Sequence, residues 1–471
     1  MCRLAPWVLI LNFENVTIHS NVSKDSLRTR LLQLECHFTW DLLKEDITLQ
    51  DLEERVCNQI QFLTTKSKAT SYNLLAYTRY LQGHNEEALE SLGKAEKEIQ
   101  GEDASGAEVR SVVTWSNLAW MSYHMDLLAD AQAYADRVER ACQALSSRFP
   151  YKAEWPEILT EEGWASLTFG GKYYERAKAC FEKALKQEPN NPEFNSGFAI
   201  AIYRLENIAS GNFPADAPSL HALRRAVRLN PDDTPVQVFL GLRLQDVNRE
   251  AEGEKYIQEA LEQMSSVPYV LRYAAKFYRR KGTLEKSLQL LEEAARFTPN
   301  SGFVHHQKGL CYRARINKIK KATNYQLRGR DNEDLKELIS LATIQFEKFV
   351  EKKPKFVFAY IDLANMYAEG DDYDKAEVNF QKALHLERLT DGEKQQIHLN
   401  YGRFQEFHRK SQAGALHHYL EGLKIKRESE EREKLKGALR RLVSRRLRCN
   451  PADAESLGLL RSLGQLSRGG D

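Results

Sequence analysis
Apolar residues recur along this chain at intervals of three and four, the spacing that gathers them on one face of an α-helix. In LANMYAEGDDYDKAEVNFQKAL, Leu363, Ala364 and Tyr367 mark one helix, and Tyr373, Ala376, Phe380 and Ala383 mark a second. The small, aromatic, small order at steps of four and three lets two helices approach while the ring fills the gap between them. The same grammar returns at Ala177, Phe181, Ala184 and Pro189, and at Ala88, Leu92 and Ala95 after Leu75, Ala76 and Gly83. It returns again at Leu240, Gly241, Gly253, Ile257 and Ala260, and at Ala275, Tyr278, Gly282, Leu291, Ala294 and Pro299. Further copies run through Gly309, Tyr312, Ala342, Phe346 and Pro354, through Gly402, Ala415, Tyr419 and Gly422, and more weakly through Leu118, Ala119 and Ala131.

About eight such units resemble the tetratricopeptide pattern, a helix-turn-helix of about 34 residues. The expected fold is all-α: a tetratricopeptide-repeat superhelix, or α-solenoid, with an enclosed basic central groove. The chain divides into a non-repeat extension (1–24), N-terminal repeats (25–155), central repeats (156–300), C-terminal repeats (301–460) and a tail (461–471). Residues 313–338, rich in Lys and Arg, separate the two helices of one unit and predict a lengthened pair or a basic excursion. ADAESLGLLRSLGQLSRGGD reads as the first helix of a last pair that lacks its partner, at an end where a solenoid needs a polar cap.

Composition agrees with this architecture. The 25 Gly and 13 Pro among 471 residues are about 8 %, against roughly 12 % on average, which argues against collagen-like and turn-dense β folds. Seven scattered Cys without a CxxC pair predict reduced thiols and a cytoplasmic location, not a disulfide framework or a zinc site. The apolar stretch in MCRLAPWVLILNFE is short for a leader and no small-residue cleavage site follows it, and no run is long enough to span a membrane. The formal net charge of +2 excludes a uniformly basic nucleic-acid binder but not a local basic groove.

No P-loop, HExxH, GxSxG or GxGxxG occurs, so no enzyme activity is expected. FGGKYY (169–174) reads as an interhelical turn. The pairs at 305–306 and 417–418 lack carboxylates at ligand spacing, and adjacent helical side chains diverge by about 100°. The groove-facing positions of a repeat's first helix are more informative. From Pro268 they are Tyr269, Arg272, Lys276, Arg279 and Arg280, on one helical face. Phe303, His306, Arg313, Phe358 and Arg204 take comparable positions in other units. Cations interleaved with aromatics suit single-stranded nucleic acid. A peptide adaptor that clamps a carboxylate terminus fits the cations equally well but does not need the rings.

ECHFTWDLLKED (35–46), VTWSNLAWMSYHM (113–125), GGKYYERAKACFEKAL (170–185), PYVLRYAAKFYRRKG (268–282) and YGRFQEFHRKS (401–411) resemble the interferon-induced proteins with tetratricopeptide repeats. FLTTKSK, YAEGDDY and HHYLEGLKIK are most similar to member five. The resemblance covers roughly residues 25–460. It implies a cytoplasmic, innate-immune, antiviral protein that sequesters single-stranded RNA by its 5′-triphosphate without sequence preference. A tunnel of that kind rejects duplex ends by size. The alternatives it leaves are an adaptor acting through antiviral signalling proteins, and a binder of capped RNA lacking 2′-O-methylation. Expected partners are RNA with 5′-phosphates, other family members and signalling proteins, with no membrane.

By the same resemblance, Arg55, Gln59, Lys66, Thr168, Arg204, Tyr269 and Arg272 belong to the 5′-phosphate site. Tyr273, Lys276, Arg279, Phe303, His306, Gln307, Phe356 and Phe358 belong to the RNA path. Lys434, Arg440, Arg441, Arg445 and Arg446 form a C-terminal basic surface for backbone attraction, unless they are only a solvated helix. No cofactor is required, although Asp51, where member five has Glu, could hold a divalent or monovalent cation against the triphosphate. Thr168 departs from the family, which places a phosphate-binding Lys there, and a charge-assisted hydrogen bond is worth about 1.5–3 kcal/mol. Arg55, which the cap-binding member shares, could restore that cation from the opposite wall. Trp164 fits either a cap-stacking ring or the core.

Overall fold
The computed structural model describes residues 24–62, 68–101, 104–144, 147, 149–152, 155–209, 213–264, 268–324, 326 and 330–466. Most of the 1–24 extension, the end of the 461–471 tail and Lys66 lie outside them. Among the described residues there are 22 α-helices and no strand. Twenty of the helices form ten antiparallel pairs from Lys68 to Leu466, two pairs more than the repeat spacing indicated.

The small-aromatic-small grammar works as expected. Phe181, fully buried on Tyr174–Gln187, lies against the backbones of Gly163 on Pro156–Phe169 and Gly197 on Pro192–Ala209. One ring thereby joins its own pair to the next. Within their own pairs, Phe346 lies against Gly309 in the same way, and Tyr419 against Gly402. FGGKYY is the expected turn: Gly170 ends its helix at φ +130°, a conformation that favours glycine. Residues 313–322 and 330–338 of the basic segment extend a lengthened pair, Gly302–Ala322 and Arg330–Lys352. The C-terminal expectation needs correction. Ala454–Leu466 is the second helix of a complete pair, packed on Glu430–Cys449 with Leu463 buried beside Leu439 and Leu442.

First helices of successive pairs lie side by side and form the inner wall. A segment before the repeats then closes the ring. Leu49–Phe62 packs on Pro156–Phe169 and also meets the C-terminal half. Lys353 pairs with Asp51, and Lys355 Nζ donates to the carbonyls of Glu45 (3.0 Å) and Ile47 (3.3 Å). Asp46 Oδ1 receives Lys172 at 2.6 Å and Arg388 at 2.8 Å, while Oδ2 accepts from the Tyr173 hydroxyl at 2.9 Å. Burial alone would raise the Asp46 carboxyl, but these partners hold it below the usual carboxylate range.

A Cβ at residue 197 would overlap the Phe181 ring. Overpacking costs about 1–3 kcal/mol, more than the roughly 1 kcal/mol that Ala gains over Gly in helix propensity. Gly197→Ala should therefore lower the thermal melting temperature. A melt at or above that of the parent chain would show that the ring has room to shift.

Candidate nucleic-acid interface
The inner wall and the closing helix enclose a cavity of about 890 Å³. Among the described residues, seven Arg or Lys side chains line it, against three carboxylates, Asp51, Glu193 and Asp233. Two of those carboxylates serve the fold. Glu193 accepts from Trp164 Nε1 at 3.0 Å, and Asp233 caps its helix while accepting from Ser196 Oγ at 2.7 Å. The cations therefore leave the cavity strongly positive.

Pro268–Lys281 supplies its centre. The helix starts at Pro268 and carries Arg279, Arg280 and Lys281 in its last turn, where positive charge favours the helix dipole. Tyr269, Arg272, Lys276, Arg279 and Arg280 all reach the cavity, as their spacing predicts, and Tyr273 joins them. Arg272 lies over the rings of Tyr269 (4.9 Å), Tyr273 (5.6 Å) and Phe303 (5.5 Å). Its Nε is buried and has no hydrogen-bond partner among the described residues. Such a donor is costly to leave unsatisfied and is poised for an incoming acceptor. Arg279 donates to Gln307 Oε1 at 3.0 Å, and burial pushes its guanidinium down to about 10. Arg204 donates to the Leu167 carbonyl at 2.7 Å and sits over Tyr174 at 5.4 Å.

The closing helix presents Asp51, Arg55 and Gln59 at steps of four, on the face turned to the cavity. Arg55 Nε pairs with Asp51 Oδ2 at 2.9 Å, and its Nη1 donates to the Thr168 carbonyl at 2.8 Å. The cation expected opposite Thr168 is thus in place. Thr168 lines the cavity, yet it is buried and its hydroxyl donates back to Trp164 O at 2.9 Å. It offers no substitute for a lysine. Trp164 packs its ring against Phe181, donates Nε1 to Glu193, and also borders the cavity.

Aromatic rings continue the path. Tyr269, Tyr273 and Phe303 follow at centroid spacings of 4.8 and 5.1 Å. His306 stacks on Phe349 at 4.4 Å, and Phe349 leads to Phe356 at 5.8 Å. Asp362 fixes His306 at 3.0 Å and Arg313 at 2.6 Å. Phe358 is partly buried against the neighbouring core and packs beside the cavity-lining ring of Phe356 at 5.4 Å, one step behind the wall.

Asp51 Oδ2 is shared by Arg55 and Lys353, and no group of three or more His, Cys, Asp or Glu among the described residues is placed to hold a metal. The C-terminal basic run is partly neutralised: Lys434 pairs with Glu430 (2.7 Å), Arg445 with Glu406 (3.0 Å) and Arg446 with Glu455 (3.0 Å), while Arg440 and Arg441 are exposed. Lys353 was missed from sequence. It follows the end of a second helix, and only ring closure brings it to the cavity.

Fold and site together define a tetratricopeptide superhelix closed around a cationic, ring-lined tunnel. A tetratricopeptide-repeat family model matches residues 170–191. Human IFIT1 homolog B is 54% identical over 91% of both chains, and the human antiviral innate immune response effector IFIT1 is 53% identical over 93% of this chain and 91% of its own. Human interferon-induced protein with tetratricopeptide repeats 2 is 44% identical over 95% and 94%. Among solved structures, an IFIT1 monomeric mutant with m7Gppp-AAAA has a TM-score of 0.89 at 51% identity, covering 94% of this chain and 96% of that one. A human IFIT1 dimer with PPP-AAAA has a TM-score of 0.83 at 48% identity, covering 94% and 95%. The chain belongs to the family of interferon-induced proteins with tetratricopeptide repeats.

Asp51 is the carboxylate that faces both closing cations. Asp51→Ala should destabilise the chain by about 1–3 kcal/mol, because Arg55 and Lys353 lose their shared acceptor. The loss should shrink as salt is added, since screening relieves the exposed repulsion. Thermal melts from low to high salt check it, and a salt-independent deficit would mean that packing, not charge, was lost.

Proposed function
We propose that this chain is an antiviral innate-immune protein that captures the 5′ end of single-stranded RNA bearing a triphosphate and holds it without sequence preference. The observation that carries this is the enclosed excess of cations around Arg272, whose unpaired Nε lies among three rings. A triphosphate is a compact, dense anion that guanidinium groups bind through short charge-assisted hydrogen bonds. Each stacked base adds about 1–3 kcal/mol whatever its identity, which makes the grip sequence-tolerant. The structures of human IFIT1 with PPP-AAAA and m7Gppp-AAAA support the class of ligand.

A second reading has its own support. Trp164 borders the cavity near Arg55, as a ring that stacks on a cap base would, so capped RNA competes with triphosphate RNA for the same end. In either case the chain acts by occupying the 5′ end, and no catalytic step is invoked. Cytoplasmic residence and assembly with a second family member complete the proposal. A dimer of human IFIT1 is the precedent for such assembly. No described helix is long and apolar enough to cross a membrane.

Filter binding of 5′-triphosphate, capped and 5′-hydroxyl oligonucleotides tests the end preference. Triphosphate RNA should be retained most strongly, and equal, steeply salt-dependent retention of all three would refute it. Arg272→Ala should abolish binding, while normal binding by that variant would remove the tunnel from the explanation. Thr168→Lys adds a cation beside Arg55 and should tighten triphosphate binding roughly ten- to a hundredfold, the equivalent of one charge-assisted hydrogen bond.

A further inference from the structure
Lys276 sits in the most crowded part of the tunnel. On its own helix Arg272 and Arg280 stand four residues away and Arg279 three, so three guanidiniums share its face. Thr234–Asp246 brings Arg243 and Asp246 towards it. Pro192–Ala209 adds Arg204 to the cavity, Gly302–Ala322 adds His306 and the neutral Gln307, and Arg313 of that helix acts on Arg279. Glu250–Met264 carries Glu254, which Lys281 takes at 2.5 Å. Leu284–Phe297 packs on the apolar side, where Leu291 and Ala294 meet Leu271 and Ala275.

The nearby carboxylates are committed elsewhere. Asp246 pairs with Arg280 at 2.6 Å and Arg243 at 3.4 Å, and Asp362 with His306 and Arg313. Lys276 has no hydrogen bond or ion pair among the described residues, and it lines the cavity. Burial first, then the charges of Arg280 and Arg279, push its ammonium down to about 7, with Asp246 opposing. Arginine in the same surroundings keeps its proton.

We propose that Lys276 is a proton-linked RNA contact: its amine readily gives up its proton in the empty tunnel and takes one from solvent when a phosphodiester of the entering strand lies beside it. This rests on the RNA-binding reading above. The balance is proton uptake on binding equal to the deprotonated fraction of the free chain, about half a proton per strand at pH 7 and nearly one at pH 8, with no covalent bond made or broken. The sign follows from linkage. A phosphate raises the lysine pKa, so the affinity gain is full below the free-state pKa and is lost as pH rises through it. The protonated fraction falls from about nine-tenths at pH 6 to about one-tenth at pH 8, which predicts roughly a tenfold loss of affinity.

Two measurements on the full chain test this. The first is competitive acetic anhydride labelling of the RNA-free protein across pH, read by mass spectrometry. Lys276 should reach half-maximal reactivity near neutrality, far below exposed Lys186, and a midpoint above pH 9 overturns the proposal. Restricted access lowers the rate of labelling but not this midpoint. The second is fluorescence anisotropy with a 5′-triphosphate oligoadenylate at pH 6, 7 and 8. Lys276→Arg stays charged, so any slope it retains belongs to groups other than residue 276, the triphosphate among them. The parent chain should lose about tenfold more affinity than Lys276→Arg over this range, and Lys276→Met should bind weakly with the slope of the Arg variant. Equal slopes in the parent and Lys276→Arg overturn the proposal. Absence of binding by the parent chain overturns the RNA reading itself, and the labelling midpoint identifies that case separately.

Discussion
A stack of helix pairs is open along its inner face, and the Asp46 carboxylate is where this one closes. It joins a segment before the repeats, the turn at Lys172 and Tyr173, and Arg388 more than three hundred residues away. Its side chain is only 8% exposed, so these bonds form with little competition from water. Lys355 and Lys353 add bonds from the same distant half, and the edge-to-face pair of Phe62 with Phe297 adds an apolar contact. Without this seam the inward cations would line a groove washed by solvent, where Coulomb attraction falls several-fold relative to an enclosed site.

Enclosure has an electrostatic consequence. The seven cations that share the cavity among the described residues repel one another, and the carboxylates described beside them are mostly spent on capping and helix contacts. The chain as a whole balances its charge almost completely, so the imbalance is local and hidden from the outside. Attraction for a polyanion is thereby concentrated at one place, and little is spread over the surface to bind any nucleic acid non-specifically. The exposed C-terminal arginines are an exception, but intrahelical and interhelical carboxylates offset much of that run.

How much of this was legible in the sequence depended on which force set each position. Repeat packing is local, so spacing alone placed Phe181, Phe346 and the cation face of Pro268–Lys281. Two pairs escaped the same search. In Pro192–Ala209 with Pro218–Leu229 the second helix uses Leu220 and Leu223 where the grammar wants Ala and an aromatic, after a long connection. In Glu430–Cys449 the many charges obscure Leu435, Leu439, Leu442 and Val443, which are buried all the same. Spacing also pointed to Phe358, which packs beside the lining ring of Phe356 rather than on the cavity wall itself. Lys353 was illegible for a different reason. Its position follows from closure of the ring between residues three hundred apart, and no local pattern encodes that.

Arg55 links these themes. In relatives resembling this chain a lysine on the inner wall is expected to hold phosphate, and here that wall offers a threonine whose hydroxyl is bound within its own helix. The cation comes instead from the closing helix, where Arg55 is already bonded to Asp51 and to the Thr168 carbonyl. An anion that draws Arg55 away must offset those bonds, and Lys353 on the same Asp51 oxygen is then free to take the whole carboxylate. Grip on a ligand and closure of the ring therefore share one set of partners. By linkage, whatever loosens the seam between Leu49–Phe62 and the C-terminal repeats changes the affinity of the tunnel, and an occupant of the tunnel changes the strength of the seam by the same free energy.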